Sequence, residues 1–517
     1  MAQNAPGAGR RPAADRPPSP PAPASRPSPA GDGAAQGGGT LARRHLSTTA
    51  LVFMIIAASA PLTVLAGGVP TNFAVSGLLG VPVSYLVLGV ILILFAAGYG
   101  AMSSHVQNAG AFYAYISEGL GSRQGIAAAI LALISYNMMQ IGLYGLFGFA
   151  LSNALTQWTG LEVPWWLAAA AGWIIVGVLG VNSVDLSAKV LGVLVALEFL
   201  VVIVVSIISV RTAPEGLSTQ TLQPDQFFTT GIGVLLAFGI AAFMGFESGA
   251  IYSEETKDPR RTVARATYIA VAVIAVFYAA SAWALAMGVG PGSIVAQSRE
   301  HGPDLVFVWL ADHSVPLADL ASLLFITSLL AALIAFHNAA ARYFFALGRS
   351  RVLPGYLGKA APTGAPRAGS LTQSLLALVV VAVFAVAGTG SELGPLYPVM
   401  TLFTWLTNAA AFGLVFLLAI TSIAVIAWFA RDPHGHGLWT RAIAPGISAV
   451  GLLVVAGLIL GNFDIMIEAD GPSPLVVVMP GIIIGSGVVG LIWGEVIRRR
   501  DPARYDALRE QDQIESP

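Results

Sequence analysis

Apolar residues occur along this chain in blocks long enough to cross a bilayer, with the polar residues collected between them. Searching for runs of roughly 20 apolar residues predicts twelve membrane-spanning helices: 50–74, 81–103, 125–153, 165–182, 187–210, 231–252, 265–288, 316–346, 370–388, 398–429, 443–461 and 475–497. The stretch before the first block is rich in Pro, Ala, Gly and Ser, carries Arg10, Arg11, Arg16 and Arg26, and reads as a disordered tail over 1–44. It holds no short apolar run followed by a small-residue cleavage site, so the first block is expected to remain as an anchor.

Two blocks carry interruptions. In the first, Ser59-Ala60-Pro61 sits in mid-block, and a proline there removes a donor and clashes with the preceding turn. The helix is expected to break near Ser59 and restart with Pro61 in its first turn. The sixth block has Gly239, Gly245 and Gly249 around Phe243-Met244-Gly245-Phe246-Glu247. Irregular backbone at membrane depth persists only where it is buried in protein or lines a cavity. Blocks one and six correspond if 1–5 and 6–10 are two copies, the odd number of helices inverting the second; paired interruptions of this kind point to a transporter binding site. Ordinary kinking and close helix packing are the alternative.

Composition and charge sharpen this picture. Apolar residues make up 56% of the 517 and charged residues 10%, against about 25% charged in soluble domains. Lys and Arg total 26 against 27 Asp and Glu, so no global field attracts nucleic acid. With the N-terminus in the cytoplasm, every Lys and Arg except Arg211 and Arg299 falls on the inner side. The positive-inside rule then places both termini in the cytoplasm of a multi-pass protein of the inner membrane. The basic clusters at Lys257, Arg260, Arg261 and Arg265, and at Arg498–Arg500, suit anionic lipid of the inner leaflet. There is no cysteine, which excludes disulfides, thiolate metal sites and a cysteine nucleophile. No metal-ligand spacing or nucleophile motif appears, so neither an enzyme nor a bound cofactor is expected.

Four stretches, in order, resemble the amino acid–polyamine–organocation permeases: the Ser59 break, Asn108–Gly121, Gly245–Arg261 and His337–Pro354. The resemblance implies an all-α membrane protein with a five-plus-five inverted-repeat core of the LeuT-like type, discontinuous in helices 1 and 6. The repeats are 45–210 and 211–430, followed by two accessory helices over 431–497 and a cytoplasmic tail over 498–517. It further implies a secondary active permease that moves an amino acid or related amine by alternating access, through proton-coupled symport or exchange. A polyamine or other amine carrier, and a sensor that kept the fold without flux, are the alternatives.

An amino acid brings a carboxylate and an ammonium. Around Ser59, the free N–H groups of Ala60, Leu62 and Thr63, at the positive start of a half-helix, suit the first. The unpaired carbonyls of Ala242, Phe243 and Met244 suit the second. Many relatives have Gly-Ser-Gly at the first break, and Pro61 here cannot donate. By the resemblance, Ala241 replaces an aromatic residue that closes over the substrate, and Phe336 aligns with an aromatic wall. Asn137 and Gln140 share a helical face and either meet the substrate side chain or bond between helices.

Glu198, midway along the fifth block, needs a partner or a proton; some relatives place a lysine there, so the acid is a candidate to carry the coupling proton or hold a cation. Glu247 matches an acid frequent in the family and is the other coupling candidate. Glu254 and Glu255 beside Lys257 read as an ion-pair network. His337 reads as packed or proton-carrying, and Thr327-Ser328 as possible sodium oxygens.

Overall fold

The computed structural model describes residues 47–106, 112–182, 188–247, 259–359, 361, 366–467, 473–503 and 505. The tail over 1–44, Gly249, Glu254, Glu255, Lys257, the start of the Asn108–Gly121 stretch and most of the C-terminal tail lie outside them. No strand occurs among the described residues.

The helices are α1 (Thr48–Ala58), α2 (Val69–Ser76), α3 (Val81–Ser103), α4 (Phe112–Leu120), α5 (Ser122–Thr159), α6 (Trp165–Val181) and α7 (Ala188–Arg211). After them come α8 (Pro224–Phe227), α9 (Ile232–Ala241), α10 (Pro259–Val289), α11 (Ile294–His301), α12 (Leu305–Ala311) and α13 (Val315–Arg349). The chain finishes with α14 (Arg367–Ala387), α15 (Thr404–Arg431), α16 (Ala444–Gly461), α17 (Phe463–Met466) and α18 (Leu475–Arg500).

Nine helical stretches among the described residues are long and apolar enough to cross a membrane. The other three predicted spans are shorter for identifiable reasons. The first is split: α1 stops at Ala58, and a wide π-helical turn over Thr63–Gly68 leads into α2. The fourth, α6, has 17 residues. In the sixth, α9 ends at Ala241 and gives way to turns through Glu247, beyond which the described residues stop.

Burial separates a centre from a rim. The most apolar stretch of α5 is 83% buried and that of α15 78%, against 22% for α14 and for α18. Along α7, α14 and α18 the exposed positions are large and apolar, among them Leu200, Ile203, Leu375, Val379, Val383, Val478 and Ile492. Hydrocarbon solvates such surfaces and water does not. At the centre, small residues let backbones meet. A Cβ at Gly145 of α5 would lie 2.6 Å from the Pro398 carbonyl, just before a second π-helical turn over Val399–Phe403 that opens α15.

Candidate functional site

The first interruption is compact and strained. Ser59 ends α1 with its N–H on the Ile56 carbonyl (3.1 Å), and Ala60 then takes φ +46°, a left-handed conformation that a side chain disfavours. Winding resumes at Pro61, whose missing N–H matters least in a first turn. Tyr278 of α10 holds the corner: its hydroxyl donates to the Ser59 carbonyl (3.1 Å) and lies 2.9 Å from Ser59 Oγ.

The restarted half-helix presents its first N–H groups unequally. Leu62 N–H donates to Glu198 Oε2 of α7 at 3.2 Å, so the donor assigned above to a substrate carboxylate is already occupied by a side chain 136 positions away. The N–H groups of Ala60 and Thr63 have no partner among the described residues. Ser328 of α13 donates to the same Glu198 oxygen (3.0 Å) and lies 3.0 Å from Thr63 Oγ1. Two hydrogen bonds to a charged group, at about 1.5–3 kcal/mol each, are together comparable to the roughly 2.5–3.5 kcal/mol that an acid costs at membrane depth. Neighbouring Thr327 turns its hydroxyl to the Leu324 carbonyl.

The second interruption turns on Gly245. Phe243 and Met244 N–H groups bond back to Ile240 (3.0 Å) and Ala241 (3.1 Å), and Gly245 then adopts φ +108°. The Phe243 carbonyl accepts from Phe246 N–H (3.1 Å), so it is partly spent, while the Ala242 and Met244 carbonyls accept no backbone hydrogen bond from the described residues. Glu247 is buried and closes the turn: Oε2 accepts from Gly245 N–H at 2.9 Å, and Oε1 accepts from the Tyr136 hydroxyl of α5. Tyr136 stacks on Tyr343 with ring centroids 5.4 Å apart.

Between the two interruptions lies a cavity of about 60 Å³, lined by Ser59, Ala60 and Thr63 from the first and by Ala241, Ala242 and Met244 from the second. Phe336 of α13, Met139 and Leu143 of α5, and Phe403 and Thr407 are also in its wall. Counted as space open to water centres, with about 10–15 Å³ needed for each, it takes several waters, and it is only partly enclosed.

Some candidates stand elsewhere. Gln140 faces α14: its amide donates to Tyr144 (3.1 Å) and its carbonyl accepts from Gln373, an interhelical pair away from the cavity. Asn137 bonds to the Leu133 carbonyl of its own helix (2.7 Å) and does not line the cavity. Leu62 and Phe243 are also outside the lining, and His337 faces Ser370 of α14 at 2.7 Å. The wall that α5 contributes is Met139 and Leu143, on a stripe with Tyr136; the amides Asn137 and Gln140 lie on the neighbouring stripe. Tyr136, Tyr278 and Thr407 lack any local motif and are recognisable only in three dimensions.

The model of the amino acid permease family matches residues 51–505. The chain belongs to the amino acid permease family. The permease is 26% identical over 344 residues to the branched-chain amino acid permease BcaP of Lactococcus lactis, covering 63% of this chain and 72% of that one. It is 25% identical to L-asparagine permease 1 of Mycobacterium tuberculosis, covering 58% of this chain and 62% of the relative. With the low-affinity putrescine importer PlaP of Escherichia coli the identity is 24%, covering 60% and 68%. Among solved structures, a manganese transporter of Eremococcus coleocola superposes with TM-score 0.51 at 17% identity, over 86% of this chain and 95% of that one, a likeness of fold alone. The permease is therefore a multi-pass membrane protein of a transporter family, within the amino acid–polyamine–organocation superfamily that its motifs resemble.

Proposed function

We propose that this permease is a secondary active carrier that moves an amino acid across the cytoplasmic membrane by alternating access, with twelve spans, a five-plus-five inverted core and both termini inside. One observation carries the reading: the break after α1 and the turn that ends α9 border the same cavity, and among the described residues the N–H groups of Ala60 and Thr63 and the carbonyls of Ala242 and Met244 have no backbone partner. A zwitterion needs such a pair of opposite poles, and peptide dipoles supply it without a charged side chain. The remaining wall is mostly apolar, with Met139, Leu143, Phe336 and Phe403 beside the single hydroxyl of Thr407, which suits a neutral side chain. Glu198 and Glu247, each bonded to backbone at one of the breaks, are the groups through which a proton drives the cycle.

A second reading, an amine without a carboxylate, draws support from the same break. Pro61 has no N–H and that of Leu62 is taken by Glu198, leaving fewer donors for an anion. Uptake of labelled amino acids and putrescine into proteoliposomes, with and without an imposed proton or sodium gradient, tests both. Accumulation of a neutral amino acid under a proton gradient is the expected result. Accumulation of putrescine alone selects the second reading, and absence of flux despite binding selects a sensor.

A further inference from the structure

We propose that Glu198 ties a proton to the substrate's carboxylate: an anion arriving at the start of the restarted half-helix draws a proton from water onto Glu198. The inference rests on the carrier reading above.

Geometry carries it. Glu198 Oε2 already occupies the positive end of that half-helix, 3.2 Å from Leu62 N. Ala60 and Thr63, on either side of Leu62, line the cavity, and Thr63 Oγ1 stands 3.0 Å from the Ser328 hydroxyl that also bonds Glu198. An anion held by the N–H groups of Ala60 and Thr63, which have no partner among the described residues, therefore has the Glu198 carboxylate for a neighbour. No basic side chain pairs with Glu198 among the described residues. The groups facing it are Leu62 and Thr63 from the half-helix, Ser328 from α13 and, from α10, Tyr278, a neutral phenol bonded to Ser59.

Two carboxylates sharing one poorly solvated site do not both stay ionised. When the second arrives, a proton from water binds Oε2. The acid's O–H is then free to donate to a neighbouring hydroxyl, and Leu62 N–H passes to the incoming carboxylate. The half-helix faces one negative charge before and after, so its favourable dipole interaction is kept throughout. Linkage makes the effect reciprocal: substrate raises proton affinity and protons raise substrate affinity. An amine with no carboxylate recruits no proton here.

The test measures binding of labelled L-leucine, L-asparagine and putrescine to the full chain from mildly acidic to mildly alkaline pH. One proton per substrate gives up to about tenfold tighter binding of the amino acid for each unit that pH falls, with no such slope for putrescine. Glu198→Gln flattens the amino-acid slope. Ser328→Ala removes a donor to the ionised acid and moves the profile towards higher pH, which keeps the test available should the Gln variant fold poorly. Amino-acid affinity that is independent of pH in the wild type, or a full slope surviving in Glu198→Gln, overturns the inference and leaves the carrier reading in place. Binding of putrescine alone does the same. Binding of none of the three overturns both.

Discussion

Gly245 of the second interruption rests directly on Ala58, the last residue before the first: a Cβ at 245 would lie 3.0 Å from the Ala58 Cβ and 3.1 Å from its carbonyl oxygen. The two breaks are thus one packed unit. Gly245 also has φ +108°, where a side chain costs on the order of 1–3 kcal/mol. Gly245→Ala is expected to lower thermal stability in detergent by at least that amount and to abolish uptake. A variant that melts and transports like the parent would show that the breaks do not depend on this contact.

Ala241 is the smallest side chain that α9 places against the cavity, where about 60 Å³ is open. Ala241→Phe is expected to fill that space, reducing uptake more than tenfold while the melting temperature stays near the parent's. Normal uptake by the Phe variant would move the transport path elsewhere.

Gln140 and Gln373 are fully buried and bonded to each other across α5 and α14. Interhelical side-chain hydrogen bonds in membrane proteins average about 0.6 kcal/mol, with a maximum near 1.7. Gln140→Leu and Gln373→Leu are each expected to destabilise, because each strands the other amide, and the double variant should lose less than the sum. Additive losses in a double-mutant cycle would refute the coupling. Uptake specificity should stay unchanged in all three, since neither residue lines the cavity.

Asp304, in the connection between α11 and α12, accepts from Asn153 Nδ2 at 2.8 Å. Burial pushes its carboxyl above the usual range, against the opposing pull of Asn153 and then His301. A raised acid pKa means that the folded state disfavours the ionised form. Its stabilising contribution is therefore whole below the unfolded value of about 3.9 and is lost as pH rises through the folded value. Asp304→Asn keeps an acceptor for Asn153 without the charge. It should melt above the parent at neutral pH, with the gap closing as pH falls; a lower melting temperature at neutral pH would contradict this.

The backbone of the site was legible in the sequence, and much of its side-chain wiring was not. Pro61 announced the first break because a ring without an N–H has local consequences that no tertiary contact removes. Three glycines marked the second region without showing which one turns. Gly245 does, whereas Gly239 stays helical and serves close approach, a Cβ there falling 2.6 Å from Leu88. Glu198 was conspicuous as an acid at membrane depth, yet its hold on Leu62 N–H joins positions far apart in the chain, and no local pattern encodes that. For Gln140 both a substrate contact and an interhelical bond were open; the bond is formed, and its partner Gln373 lies on another helix, which no local pattern shows.

The wide turn over Thr63–Gly68 has a mechanical corollary. Each ring closed by an i→i+5 bond encloses one residue more than the regular winding, so this segment carries spare chain length beside the cavity. Deleting one residue there, such as Leu65, would return the segment to standard pitch. The same deletion within α3 would instead rotate everything beyond it by about 100°, given roughly 3.6 residues per turn. A regular helix joining the same two ends would therefore hold one residue fewer beside the cavity.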